Sequence, residues 1–296
     1  MHNISDILDK TKITNKQFYY LTIIACFFIG AIIVTGASVR LSGSGLGCPT
    51  WPKCSSASFT PTSAESGHSI IEFGNRLFTG AVSIAVIIAV LGSLRLETFS
   101  KKLFWLSLGL VFGIIAQIIL GGITVLVDLH PLSVGAHMLV SLLILANAVI
   151  LCYCAKYSGE VELRALFKKS YNFLLFVVTN LIVVAGIVVT AAGPHAGDQK
   201  VVRLNANIET VVRIHSLLAW IFTILMIVLF VKYKNRTWQL KSLFVITIIQ
   251  IIWGYTQYFT GIPWALVIGH VFLASLLYLF SCLNWLQQTK KINSVN

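Results

Sequence analysis

Charge is scarce in this chain. Only 11% of its 296 residues are Asp, Glu, Lys or Arg, against 57% hydrophobic. A soluble domain is about a quarter charged, so a water-soluble globular fold is excluded. Acids are scarcer still, ten in all, and every one lies in a loop or near the end of an apolar run. A proton relay would put carboxylates deep in the bilayer, and none is there. A cleavable leader is also missing from the reading: the first seventeen residues are polar and the first apolar run is too long for a signal h-region, so it is expected to stay as an anchor. Gly43-Ser44-Gly45-Leu46-Gly47 has no strand before it and no soluble helix after it, the context that a dinucleotide loop needs.

What the chain does have is apolar runs of membrane-spanning length, about 20 residues. Their cores are Phe18–Val39, Gly74–Leu96, Leu103–Leu126, Ser133–Tyr157, Tyr171–Ala192, Val211–Val231, Ser242–Phe259 and Trp264–Leu286. The last two are separated by the short turn Gly261-Ile262-Pro263. The expected fold is an all-α membrane protein of eight transmembrane helices, with both termini on one side. The net charge of +12 follows that topology. Sixteen Lys and Arg fall in the tails and loops on the side of the termini. The other six are Arg40, Lys53, Arg76, Lys200, Arg203 and Arg213. The positive-inside rule then makes both termini cytoplasmic in a cell membrane. Most of the excess charge is topological, so no nucleic-acid partner is needed.

The chain also repeats itself. Gln117-Ile118-Ile119-Leu120-Gly121, followed by Gly135-Ala136-His137, returns as Gln250-Ile251-Ile252-Trp253-Gly254, followed by Ile268-Gly269-His270. Gln117 to Gln250, Gly121 to Gly254 and His137 to His270 share one offset. Likewise Val34-Thr35-Gly36-Ala37 at the end of the first run is echoed by Val189-Thr190-Ala191-Ala192 at the end of the fifth. Helices 5–8 therefore repeat helices 1–4. Units of four helices enter the membrane the same way round, giving two tandem four-helix bundles related by a pseudo-twofold axis along the membrane normal. The expected divisions are a cytoplasmic tail, 1–17; an N-terminal half, 18–158, with its long outside loop at 41–71; a cytoplasmic linker, 159–170; a C-terminal half, 171–287; and a second tail, 288–296.

Every even-numbered helix carries a polar group near its outer end: Asn75, His137, His215 and His270. The repeat matches Asn75 with His215 and His137 with His270. In the second half, histidines on two helices can converge inside a bundle, which is how bundles build cofactor sites. Two imidazoles facing each other across about 4 Å suit six-coordinate haem. Zinc wants three or four ligands, and no third acid or thiol has a place beside His215 and His270. A packing role remains the bland alternative.

Two further features stand on the outside. Glu72, Asn75 and Arg76 share one helix face, as interfacial anchors or as a site. Cys48 and Cys54 sit in the outside loop, where a disulfide persists. That bond is either a staple, which contributes roughly 2–3 kcal/mol for a small loop, or a redox pair exchanging with a thiol partner. Cys26, Cys152, Cys154 and Cys282 fall in or at the ends of the spans and read as inert packing residues.

These residues resemble the haem A synthases, membrane enzymes that oxidise a methyl group of haem O to a formyl group. The likeness covers essentially the whole chain. It rests on the eight helices, the histidines of the even helices, the run Thr35, Gly36, Gly47, Cys48, Trp51, Pro52, Cys54, and the motif Glu-x-x-His-Arg, here Glu72-Phe73-Gly74-Asn75-Arg76. The resemblance implies haem b held as cofactor by His215 and His270. It implies a substrate site for haem O in the first half with His137, Asn75 and Arg76, and Glu72 as the catalytic carboxylate. It implies as partners a haem O synthase and a membrane electron carrier or thiol partner. Asn75 departs from the motif, since an amide stands where the family has an imidazole; His68 is the candidate substitute ligand. No cysteine pair follows helix 5, unlike some relatives. The rival function is a bis-histidine cytochrome b that carries electrons between quinol and an acceptor, which would need no Glu72–Arg76 face. A disulfide-relay protein built on Cys48 and Cys54 is a third reading, but one cysteine pair leaves two histidine-bearing halves unexplained.

Overall fold

The structure is a computed structural model, and it describes residues 12–62, 67–158, 161, 170–198, 201–233 and 237–287. The tail 288–296, most of the linker 159–170 and several basic residues counted above lie outside the described residues. Among the described residues eight helices follow one another: α1 Asn15–Leu41, α2 Gly67–Leu94, α3 Lys101–Leu126, α4 Pro131–Lys156, α5 Tyr171–Ala192, α6 Ile208–Lys232, α7 Trp238–Phe259 and α8 Trp264–Leu286. All eight are long and apolar enough to cross a membrane, as their runs predict.

The helix starts are set by short polar side chains. Thr14, Ser100, Ser170 and Thr237 cap the odd-numbered helices. Each hydroxyl accepts from an amide of the first turn that has no carbonyl partner within the helix. At α1 the cap is reciprocal, because the Gln17 carboxamide accepts from the Thr14 amide at 2.9 Å. Helix α2 begins seven residues before the predicted Gly74. The polar stretch before Gly74 therefore belongs to the helix, and Glu72 lies in its second turn rather than at its mouth. The residues just before α1 are tied to the rest of the first set. Ile13 pairs with the α2–α3 loop, donating to Arg95 O at 2.8 Å and accepting from Glu97 N at 3.2 Å.

In the first set α1 packs on α2 and α4, and α3 on α2 and α4; in the second, α5 packs on α6 and α8, and α7 on α6 and α8. The neighbours are the same in both sets. Across the seam α1 and α4 meet α8, and α4 meets α5. The larger apolar core is shared across this seam, running from Phe18, Val86, Leu110 and Leu145 to Tyr278, Cys282 and Trp285 of α8. A smaller core in the second set joins Leu175, Phe222, Met226 and Leu243.

After α1, residues 42–62 fold back over the first set. Cys48 and Cys54 form a disulfide, and both are fully buried. Trp51 packs against Gly122 near the C-terminal end of α3, where a Cβ would come within 2.7 Å of its ring. Gly47 sits against α2 so closely that a Cβ would meet His68 O at 2.4 Å. Gly47→Ala is therefore expected to lift the loop and destabilise the fold by about 1–3 kcal/mol. Thermal unfolding against Gly74→Ala, where a Cβ meets nothing within 4 Å, measures the difference.

Candidate functional site

The second set brings its two histidines together. His215, two turns into α6, and His270, two turns into α8, have ring centroids 6.3 Å apart. Imidazoles on opposite sides of one metal, with bonds of about 2 Å, have ring centres about 6 Å apart, so the spacing fits a shared iron. His215 is held in one orientation. Its Nδ1 lies 3.1 Å from the carbonyl of Ile182 on α5. A carbonyl only accepts, so Nδ1 carries the proton and Nε2 keeps its lone pair. His270 Nδ1 is buried with no partner, an expense that folded proteins seldom leave unexplained. Among the described residues no three His, Cys, Asp or Glu gather as a metal cluster. A two-imidazole set suits an iron whose other ligands arrive with a macrocycle.

Glycines let the rings lie close to their neighbours. A Cβ on Gly186 would stand 3.1 Å from His215 Cε1, and one on Gly254 3.2 Å from His270 Cε1. Gly254→Ala should tilt the His270 ring and weaken haem retention about tenfold, read by pigment content through successive detergent washes; Gly80→Ala, with open space around it, should not. Gln250, one turn before Gly254, donates to His270 O at 3.2 Å and lies 3.2 Å from His270 Nε2. The repeat is reproduced in the first set. Gln117 donates to His137 O at 2.9 Å, a Cβ on Gly121 would lie 3.3 Å from His137 Cε1, and His137 Nδ1 is again buried without a partner. The sequence exposed these glutamines only as markers of duplication. Their fixed offset from each histidine was the available signal of a contact.

The remaining first-set residues form a clamp. Glu72 Oε2 accepts from the Cys48 amide at 2.7 Å, and Oε1 accepts from Arg76 at 2.6 and 3.2 Å. Arg76 also donates to the carbonyls of Cys48, Thr50 and Lys53. Glu72, only 6% exposed, thus ties α2 to the disulfide loop through an ion pair and a backbone amide. Asn75 is one turn away. Its Oδ1 accepts from Thr35 Oγ1 of α1 at 2.8 Å, and it faces a groove of about 230 Å³ lined by Thr35, Ile71 and Phe78. The groove opens between α1 and α2. His68 does not join this site. It is exposed, and its Nδ1 bonds Ser44 Oγ at 2.8 Å, so the loop occupies it. His130 is exposed, as a loop residue would be, and caps α4.

Against known proteins, residues 19–282 match the COX15-CtaA family, described as cytochrome oxidase assembly protein. The chain belongs to this family. Three relatives of this COX15-CtaA protein are each named "Heme A synthase". That of Bacillus cereus (strain 03BB102) is 24% identical over 296 residues, covering 93% of this chain and 94% of its own. That of Bacillus mycoides (strain KBAB4) is 25% identical over 284 residues, with 89% and 90% covered. That of Bacillus pumilus (strain SAFR-032) is 31% identical over 134 residues, with 44% and 42% covered. The shared name ties the COX15-CtaA family to haem.

Proposed function

We propose that this protein is a haem A synthase, an oxidoreductase that converts the C8 methyl group of haem O to a formyl group. The observation that carries the reading is the His215–His270 pair, 6.3 Å between ring centroids, in a chain that matches its family over nearly its whole length. Haem b is the cofactor proposed between those two rings; when bound it supplies a one-electron redox centre.

Haem O is proposed to bind in the first set, with His137 of α4 as its protein ligand and Asn75 and Arg76 on α2. Asn75 carries no imidazole, and its carbonyl oxygen is engaged by Thr35. This leaves the amide NH2 to face the groove as a donor, and His137 as the single imidazole ligand on the substrate side. Oxidation of the methyl group develops positive charge at its carbon. Glu72 is the carboxylate proposed to offset that charge, and the Cys48 amide and Arg76 hold it in one place, so it acts without reorganising. A haem O synthase is the proposed supplier of substrate, and a membrane carrier the proposed acceptor of electrons. A thiol partner would have to open the loop first, because both sulfurs are buried.

The test is expression in a cell that makes haem O but no haem A, followed by pigment extraction. New haem A is the expected result. A protein that carries only haem b and leaves haem O unchanged would be the electron carrier instead.

A further inference from the structure

Two arginines at the seam between the helix sets have no carboxylate partner among the described residues. Arg40, near the end of α1, donates from NH1 to His195 O at 2.7 Å. Arg203, in the α5–α6 loop, donates from NH2 to Pro194 O. The ion pairs Glu72–Arg76 and Glu209–Arg213 involve neither of them, and the bonds these two guanidinium groups make are to carbonyls. The carbonyls they hold belong to adjacent residues, which brings the two guanidinium groups to one place. NH1 of Arg203 is buried with no partner at all. Two like charges brought together, one with a buried unsatisfied donor, are unfavourable unless an anion joins them.

The surrounding backbone fixes the pair in position. His195, whose carbonyl Arg40 holds, donates from Nε2 to Ile262 O at 2.8 Å in the α7–α8 turn. Gly45 of the first outside loop donates to Gly197 O at 3.1 Å. A Cβ on Gly197 would lie 3.2 Å from Arg40 Cγ. Arg40, the α5–α6 loop and the α7–α8 turn are thus one bonded unit above the second set. His215 stands seven residues into α6 and His270 six into α8. At 1.5 Å per residue both lie about 10 Å below the helix starts. A porphyrin bound between those rings would extend its carboxylate arms toward that level.

We propose that Arg40 and Arg203 form an oxyanion site that takes the carboxylate arms of the porphyrin held between His215 and His270. This rests on the proposed haem site of the second set. Guanidinium groups match carboxylates in shape and charge, and here they would orient the ring as well as retain it. A lipid phosphate on the outer leaflet offers the same oxyanion chemistry, and the experiment separates the two sources.

Full-length protein from a haem-limited host, purified without pigment, is titrated with ferric protoporphyrin and with its dimethyl ester, following the low-spin absorbance band. Native mass spectra of the same samples report retained phospholipid. The wild type should bind the free acid at least about tenfold more tightly than the ester, the worth of one charge-assisted hydrogen bond. Arg203→Gln should erase most of that preference while leaving ester binding unchanged, and Arg203→Lys should keep part of it. Arg40→Gln should act in the same direction. An acid-to-ester ratio that is the same in Arg203→Gln as in wild type overturns the proposal. So does phospholipid that is retained by wild type and lost from Arg203→Gln with that ratio unmoved, which would make the site a lipid site. A wild type that takes up neither pigment removes the haem reading itself, and this site with it.

Discussion

Replacing His215 or His270 with alanine is expected to abolish the low-spin haem spectrum of the purified protein. Each ring would be one of two protein bonds to the iron. The ring centroids stand 6.3 Å apart with Nδ1 of His215 fixed on Ile182 O, so the partner ring has no freedom to compensate. Neither variant should unfold the protein. The apolar core of the second set, around Leu175, Phe222 and Leu243, does not include either histidine, and a half-buried imidazole without iron contributes little to packing. The measurement is the absorbance spectrum of each variant as purified, at matched protein concentration, with His130→Ala as the control because that ring lies exposed at the start of α4. An undiminished low-spin band in His270→Ala would sink the assignment.

The second large effect belongs to Glu72. Its carboxylate joins a charge to a structural clamp, and two substitutions separate these. Glu72→Ala leaves Arg76 and the Cys48 amide without their shared acceptor. Breaking one side of a buried ion pair costs about 3–5 kcal/mol, so the disulfide loop should come away from α2. Trypsin then reports the change at Lys53, whose carbonyl is held by Arg76 in the intact clamp. Glu72→Gln keeps an acceptor for the Cys48 amide but removes the charge. If the charge acts in the reaction, haem A yield in Glu72→Gln falls by about a hundredfold or more, while the haem spectrum of the second set and the resistance of Lys53 change far less. Equal haem A yields in wild type and Glu72→Gln would leave Glu72 as a loop anchor and nothing more.

The sequence made the helices legible because a bilayer imposes one strong rule on every span. Backbone polar groups have no water to turn to, so each crossing is a helix of about 20 apolar residues, and the eight runs stand out by composition alone. Pairs of sites were legible through duplication. The offset shared by Gln117 with Gln250 and His137 with His270 marked the histidines before any contact was known, and both glutamines prove to hold their histidine's carbonyl. Helix boundaries were less legible at α2, where the polar residues before Gly74 look like loop in a hydropathy pattern and yet wind into helix.

Other features had no sequence signal. Arg76 reads as a helix-face partner of Glu72, and it is that, but its grip on Thr50 and Lys53 carbonyls depends on how a glycine- and proline-rich loop folds back. The same holds for Thr35 engaging Asn75 and for Trp51 resting on Gly122. Each joins residues far apart in the chain through backbone shape, which no periodicity records.

Composition and repetition, then, determined by themselves that this chain is a bundle of eight membrane helices with matched histidines. Those facts follow from solvent and from a doubled sequence, and both are written locally. Only the tertiary structure decided that His215 and His270 stand 6.3 Å apart between ring centroids, that Glu72 is bound to the disulfide loop, and that Arg40 and Arg203 hold adjacent carbonyls at the seam. Those are distances between segments, set by the packing of helices and the path of two loops, and neighbouring residues along a chain carry no record of them.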